Sequence, residues 1–301
     1  MIPEVWSTGL SFYLWQVALH SSVAGLIFYA WVHRLGLRSS ATKRRLLVTL
    51  LVLPLLTAAV PGRDALDFAE RLAWLNSARI LAIPLGAGTR VQDLLLVIAA
   101  IVTGVTFWQE VLPAFRRPKA VTTDVPESLV QLVRTQTGWE TCKVAVSPAS
   151  SILVVTSGWR GAPTLIVSLG ALQALSEAEL AAVVAHEHAH WLAGRWTWSH
   201  LLFAVRMLQC YHPVALWVFR EYCLEIEISC DRTAAAGRRD TLVRALLRAY
   251  KSLGHRDHAA RAALRKRVDV LMQDDAEGAT LPGATVATAT LVMLMVLPWI
   301  V

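Results

Sequence analysis

Ser176-Glu-Ala-Glu-Leu-Ala-Ala-Val-Val-Ala-His-Glu-His-Ala-His190 is the stretch on which the reading of this chain turns. Ser176 followed three residues later by Glu179 is a capping box, so a helix opens at Glu177. It should run to Ala193 and stop at Gly194. His186 and His190 are four apart and share one helical face, so both imidazoles can bind a single Zn²⁺. Glu187 lies beside the first of them. In an H-E-x-x-H pattern this carboxylate takes a proton from the water that the metal activates and passes it to the leaving amine. The apolar flanks, Ala181 to Ala185 and Trp191 to Ala193, make the helix largely buried and keep competing water away. His188 lies about 200° around the helix from His186 and reads as a packing residue.

Upstream of this helix come three short β-rich runs, Lys143–Ser147, Ile152–Thr156 and Thr164–Ser168, separated by Pro148, Ser157-Gly158 and Gly161-Ala-Pro163. They fit a hairpin or a small sheet. Downstream the pattern is helical: roughly Trp196 to Cys210, then Pro213 to about Ala236 with a stop at Gly237, then Thr241–Leu253 and Ala259–Met272. Strands first and helices after give an α+β fold. A catalytic zinc needs a third protein ligand and an open position. The helix that starts at Pro213 offers Glu221, Glu225 and Glu227, with Asp231 after them. Glu227 and Asp231 share a face, which suits a ligand and a carboxylate that orients a zinc-bound His through its other N–H. Glu221 and Glu225 read as a solvated face. Cys230 reads as buried packing. For the oxyanion, His200, Tyr211, His212, Tyr222 and Arg232 all stay open.

The composition sets this block in a membrane. Of 301 residues, 55% are hydrophobic and 17% charged, unlike an ordinary soluble domain. No charge falls between Glu4 and Arg34, and further charge-free runs span Leu46–Gly62, Leu94–Gln109 and the stretch that follows Glu277 and continues to Val301. Four transmembrane helices are expected. Glu4 and the lack of a cleavage site make the first a retained anchor. Arg34, Arg38, Lys43, Arg44 and Arg45 place the first linker in the cytoplasm and the N-terminus outside. Arg116, Arg117 and Lys119 bring the chain back inside. The expected organisation is a membrane domain over 1–115, a cytoplasmic domain over 116–277 and a last span over 278–301. The 13-residue run Met207–Phe219 is too short to span but could lie against lipid. The net charge of +7 is then a topology signal in the cell membrane, and direct nucleic-acid binding is not expected. Cys142, Cys210, Cys223 and Cys230 should be reduced thiols.

His186-Glu-His-Ala-His190, Tyr211-His-Pro-Val-Ala-Leu-Trp217 and Glu227-Ile-Ser-Cys-Asp231 together resemble the BlaR/MecR antirepressor metallopeptidase family. The resemblance implies a gluzincin-like zinc domain between three spans and a fourth. It implies zinc ligands at His186, His190 and Glu227, a general base at Glu187 and a supporting carboxylate at Asp231. It also implies that substrate adds as an extended strand along the edge of the Ile152–Ser168 hairpin, and that the substrate is a cytoplasmic BlaI-like repressor. The penicillin-binding domain of the best-known sensors is not expected here. Ser40-Ala-Thr-Lys43 matches S-x-x-K but sits in the basic linker without a K-T-G partner. Two other readings stay open: a quality-control protease resembling the HtpX and CAAX-prenyl protease group, and a signal-transducing membrane protein with a silent metal site. The oligomeric state is also open, a homodimer included.

Overall fold

The computed structural model describes residues 4–34, 39–59, 77–112, 125–158, 163–193, 195–252, 258–273 and Val292. In chain order the elements are α1 (Glu4–Arg34), α2 (Ser40–Ala58), α3 (Ser77–Leu81), β1 (Pro84–Gly86), β2 (Thr89–Arg90) and α4 (Val91–Thr106), which runs on through a π-helical turn at Phe107–Val111. There follow α5 (Glu127–Thr137), β3 (Lys143–Ser147), β4 (Val154–Ser157), β5 (Thr164–Ser168), α6 (Leu169–Ala174), α7 (Glu177–Leu192), α8 (Arg195–Met207), α9 (Pro213–Ala234), α10 (Arg239–Ser252) and α11 (His258–Met272). The chain is mostly helical with small sheets, an α+β fold. It divides into two compact units, one built from α1 to α4 and His200–Cys223, the other from 117–199 and 224–276.

In the first unit, Gly9–Ala30 and Val91–Glu110 are long and apolar enough to cross a membrane. Leu94, Val97, Ile98, Ile101 and Val105 are each close to half exposed along α4. Such a face is costly in water and at home in lipid. The second expected span, in α2, falls short because Lys43, Arg44 and Arg45 occupy its first turns. Ser40 to Lys43, the S-x-x-K match, are that helix's opening turn behind the cap formed by Ser39. The fourth run, beyond Glu277, lies outside the described residues.

Polar side chains pin this apolar unit together. Tyr211 donates to the Leu14 carbonyl (2.8 Å), and Gln209 donates to the Leu51 carbonyl (2.7 Å) while accepting from Ser21 (3.2 Å). His20 and Thr57 meet at 2.8 Å. Arg206 forms a two-pronged pair with Glu110 and lies 5.3 and 5.4 Å from the ring centroids of Phe203 and Phe219. In a low-dielectric setting each such group needs its partner, and together they fix which helices meet.

The second unit is a three-stranded sheet packed on helices. The strand order is β3-β5-β4, with β3 parallel to β5 and β4 antiparallel to it. Thus the three runs form one sheet in which β4–β5 is the hairpin and both β3 and β4 are edges. Val146, Leu165 and Val167 from the sheet pack with Leu180 and Val184 of α7 and Leu129 and Val133 of α5. Helix α5 was not among the expected elements. Gly170, where α6 leaves β5, has no room for a side chain: a Cβ there would lie 2.1 Å from the Ser150 carbonyl oxygen. Helix α9 ends at Ala234, and the turn beyond it passes through Gly237 at φ +70°.

Candidate metal centre

Helix α7 is anchored at its start. Ser176 Oγ accepts from the Glu179 amide, and Glu179 Oε2 accepts from the Ser176 amide at 2.8 Å. The remaining oxygen of the buried Glu179 accepts from Arg248 Nε at 3.0 Å. A helix held this firmly in register delivers His186 and His190 to one point three turns on. Their Nε2 atoms stand 3.1 Å apart.

Helix α9 supplies the third donor. Glu227 carboxylate oxygens lie 3.4 Å from His186 Nε2 and 3.2 Å from His190 Nε2. These three residues form the group that could hold a metal ion among the described residues. The distances test the fit. Tetrahedral ligands at about 2.0–2.1 Å from Zn²⁺ stand about 3.3–3.4 Å from one another; the contacts of 3.1, 3.2 and 3.4 Å, the last two to different Glu227 oxygens, lie close to that spacing. Two imidazoles and a carboxylate also form the donor set of a catalytic rather than a closed zinc site.

The next turn of α9 carries Asp231, almost fully buried, with Oδ1 2.9 Å from His186 Nδ1. This carboxylate fixes the ring orientation of His186, so that Nε2 is the nitrogen left for a metal. Cys230, expected as buried packing, is buried, and its position beside His190 helps to raise that imidazole's pKa. Glu225 is 2% exposed and not part of a solvated face. Its position shows that α9 is covered on more than one side. His188 packs edge-on against Trp139 with ring centroids 4.6 Å apart, and burial lowers its pKa.

One participant carried no sequence signal. Arg267 of α11 forms a fork on Asp231, with Nε and Nη2 each 2.7 Å from a carboxylate oxygen, and its Nη1 lies 2.9 Å from Glu227. The guanidinium neutralises two carboxylates held one helical turn apart. All three of its nitrogens are engaged with these two carboxylates. Of the residues considered for the oxyanion, His200, Tyr211, His212 and Tyr222 belong to the first unit, whereas the three side chains that could hold a metal belong to the second.

The electrostatics follow from this packing. Burial alone would depress both imidazoles. The carboxylates of Asp231 and Glu227 override it and raise His186 to about 9, while Cys230 and Glu227 raise His190 to about 10. Glu227 is held far below the usual carboxylate range by the imidazoles and Arg267, and Asp231 is lowered by Arg267 and His186, each against the opposing effect of burial.

Glu187 does not join this cluster through the histidines. Its Oε2 accepts from the main-chain N–H of Thr156 on β4 at 2.8 Å. The carboxylate therefore sits between the helix that carries two donor imidazoles and the edge of the sheet.

Comparison with known proteins agrees with this geometry. No curated protein matches the chain. Residues 145–250 match the family model described as Peptidase family M48, from within β3 to α10, so the matched stretch includes His186, Glu187, His190, Glu227 and Asp231. The match supports the general class, a zinc metallopeptidase of the M48 type, and does not single out the BlaR/MecR resemblance.

Proposed function

We propose that this chain is an integral membrane zinc endopeptidase with its active site on the cytoplasmic side. The observation that carries this reading is the cluster of His186, His190 and Glu227, whose nearest nitrogen and oxygen atoms approach to 3.1–3.4 Å, with Glu187 next in sequence to the first of them. Zinc bound there supplies a Lewis acid for the scissile carbonyl and the attacking water. The chain's own residues do the rest. Asp231 holds the His186 imidazole in orientation, and Arg267 keeps both α9 carboxylates ionised. Glu187 takes the proton from the attacking water and returns it to the leaving amine. The free edge of β4 receives the substrate as an added strand.

The substrate in this reading is a cytoplasmic protein, and by resemblance a BlaI-like repressor. The motif order over His186–His190, Tyr211–Trp217 and Glu227–Asp231 supports it. The enzyme would then act in signal transduction and leave DNA contact to the repressor. The topology has four spans with the N-terminus outside. It rests on the cations at 34–45 and 116–119 and on the two apolar helices Gly9–Ala30 and Val91–Glu110. A general membrane protease is the second reading, favoured by a family match that names no dedicated substrate. Cleavage of many unfolded membrane proteins, in place of one site in one repressor, would decide for it.

The test is metal content and proteolysis in detergent for the wild type and Glu187→Gln. One zinc per chain in both, with cleavage lost by at least about 10²-fold in the variant, is the expected result. Cleavage at the wild-type rate in Glu187→Gln would remove the proposed base. Absence of zinc from both would remove the mechanism.

A further inference from the structure

The bond between Thr156 and Glu187 follows from the register of the sheet. Toward β3, Lys143 donates to the Pro163 carbonyl at 2.9 Å. Along the parallel ladder, Leu165 and Val167 are then the β5 residues that bond toward β3. On the other side Ser168 donates to Leu153 at 2.9 Å, so Ser168, Ile166 and Thr164 bond toward β4. Thr156 lies across from Leu165. It is a non-hydrogen-bonded position, and its N–H and C=O turn away from β5 to the edge of the sheet, where no further strand pairs among the described residues. Val154, opposite Val167, is the other such position in β4. The Thr156 donor is not left to solvent but taken by Glu187 Oε2.

From this we infer that Thr156 is a positioning residue: its main-chain N–H, freed from the ladder by the register, aims the Glu187 carboxylate along the open edge of β4. The inference rests on the peptidase reading and adds a substrate register to it. A strand that pairs with β4 finds its outward groups at Val154, while the next outward donor is occupied by the base. The substrate peptide opposite Thr156 is therefore the one presented to Glu187 and cut.

Proline tests this because it removes an N–H that the ladder does not use. Thr156→Pro should lower kcat at least tenfold, with KM within twofold and one zinc per chain retained. Val154→Pro puts the same ring at the same kind of position without touching Glu187, and should act mainly by raising KM. A second readout is independent of turnover. In ¹⁵N-threonine-labelled full-length protein, with the Thr156 amide assigned by its loss in Thr156→Val, that resonance should shift upfield in Glu187→Ala and exchange faster. A kcat loss no greater in Thr156→Pro than in Val154→Pro would overturn the inference, as would an unmoved amide. A wild-type protein that cleaves nothing would instead overturn the peptidase reading, while the amide still reports the bond.

Discussion

Replacing Arg267 by Met is the sharpest probe of how the metal centre is held before metal arrives. The guanidinium bonds Asp231 twice at 2.7 Å and Glu227 once at 2.9 Å. Asp231 is 1% exposed, so its charge has no route to water when Arg267 is gone. Removing one partner of a buried ion pair costs about 3–5 kcal/mol because the other charge is stranded. Glu227 is a third exposed and can be rehydrated, which argues for the lower end, about 3 kcal/mol. For a chain of this size that is a fall in Tm of about 5 °C.

The effect should depend on zinc. Above about pH 10, where His186 and His190 of the metal-free site have lost their protons, only a bound cation can take over the neutralisation of Glu227, so the fall in Tm there should be larger with chelator than with zinc. Thermal unfolding in detergent under both conditions measures it. The double variant Arg267→Met, Asp231→Asn should recover most of the loss, since the stranded charge is then absent. Equal shifts with and without zinc at that pH, together with no recovery in the double variant, would refute the assignment of Arg267 as the counter-charge.

Three further outcomes follow from the same contacts. His186 and His190, raised to about 9 and about 10 in the metal-free site, must lose protons to bind zinc. Calorimetry in buffers of different ionisation enthalpy should show at least one proton released per zinc at pH 7, and affinity should rise with pH up to that range. The same raised values mean that the imidazolium contribution to metal-free stability is full below about pH 6.5 and lost as pH rises through 9 to 10. Asp231→Asn should weaken zinc binding by about 10–100-fold in a chelator competition, because His186 loses its orienting carboxylate. Gly170→Ala should destabilise the second unit by about 1–3 kcal/mol in thermal unfolding, as the Ser150 carbonyl must retreat from the new Cβ.

What sequence could reveal here was what helical periodicity places together. His186 with His190, and Glu227 with Asp231, are each one turn apart on one helix, and the geometry of each pair follows from local structure alone. The capping box at Ser176 was legible for the same reason. Helix α5 carried a readable signal that went unused: Leu129, Leu132 and Val133 at helical spacing, then Gly138 in the left-handed conformation that ends it. Glu225 shows the limit of periodicity. A helix face opposite the metal ligands is solvated only if nothing packs there, and that depends on other elements of the fold.

Arg267 lies beyond any local rule. It is 36 residues from Asp231 and on a different helix, in a run that also contains Arg261, Arg265 and Lys266. Charge pattern alone cannot choose among these cations. The choice is made by the packing of α11 against α10, with Leu271 joining Leu242, Val243 and Leu246 in one buried cluster. That cluster also takes in Ala182 of α7, one turn before His186. The apolar contacts that seat α11 are therefore continuous with those that seat the imidazole. The counter-charge and the metal ligand are positioned by one core, so loosening it should disturb both together.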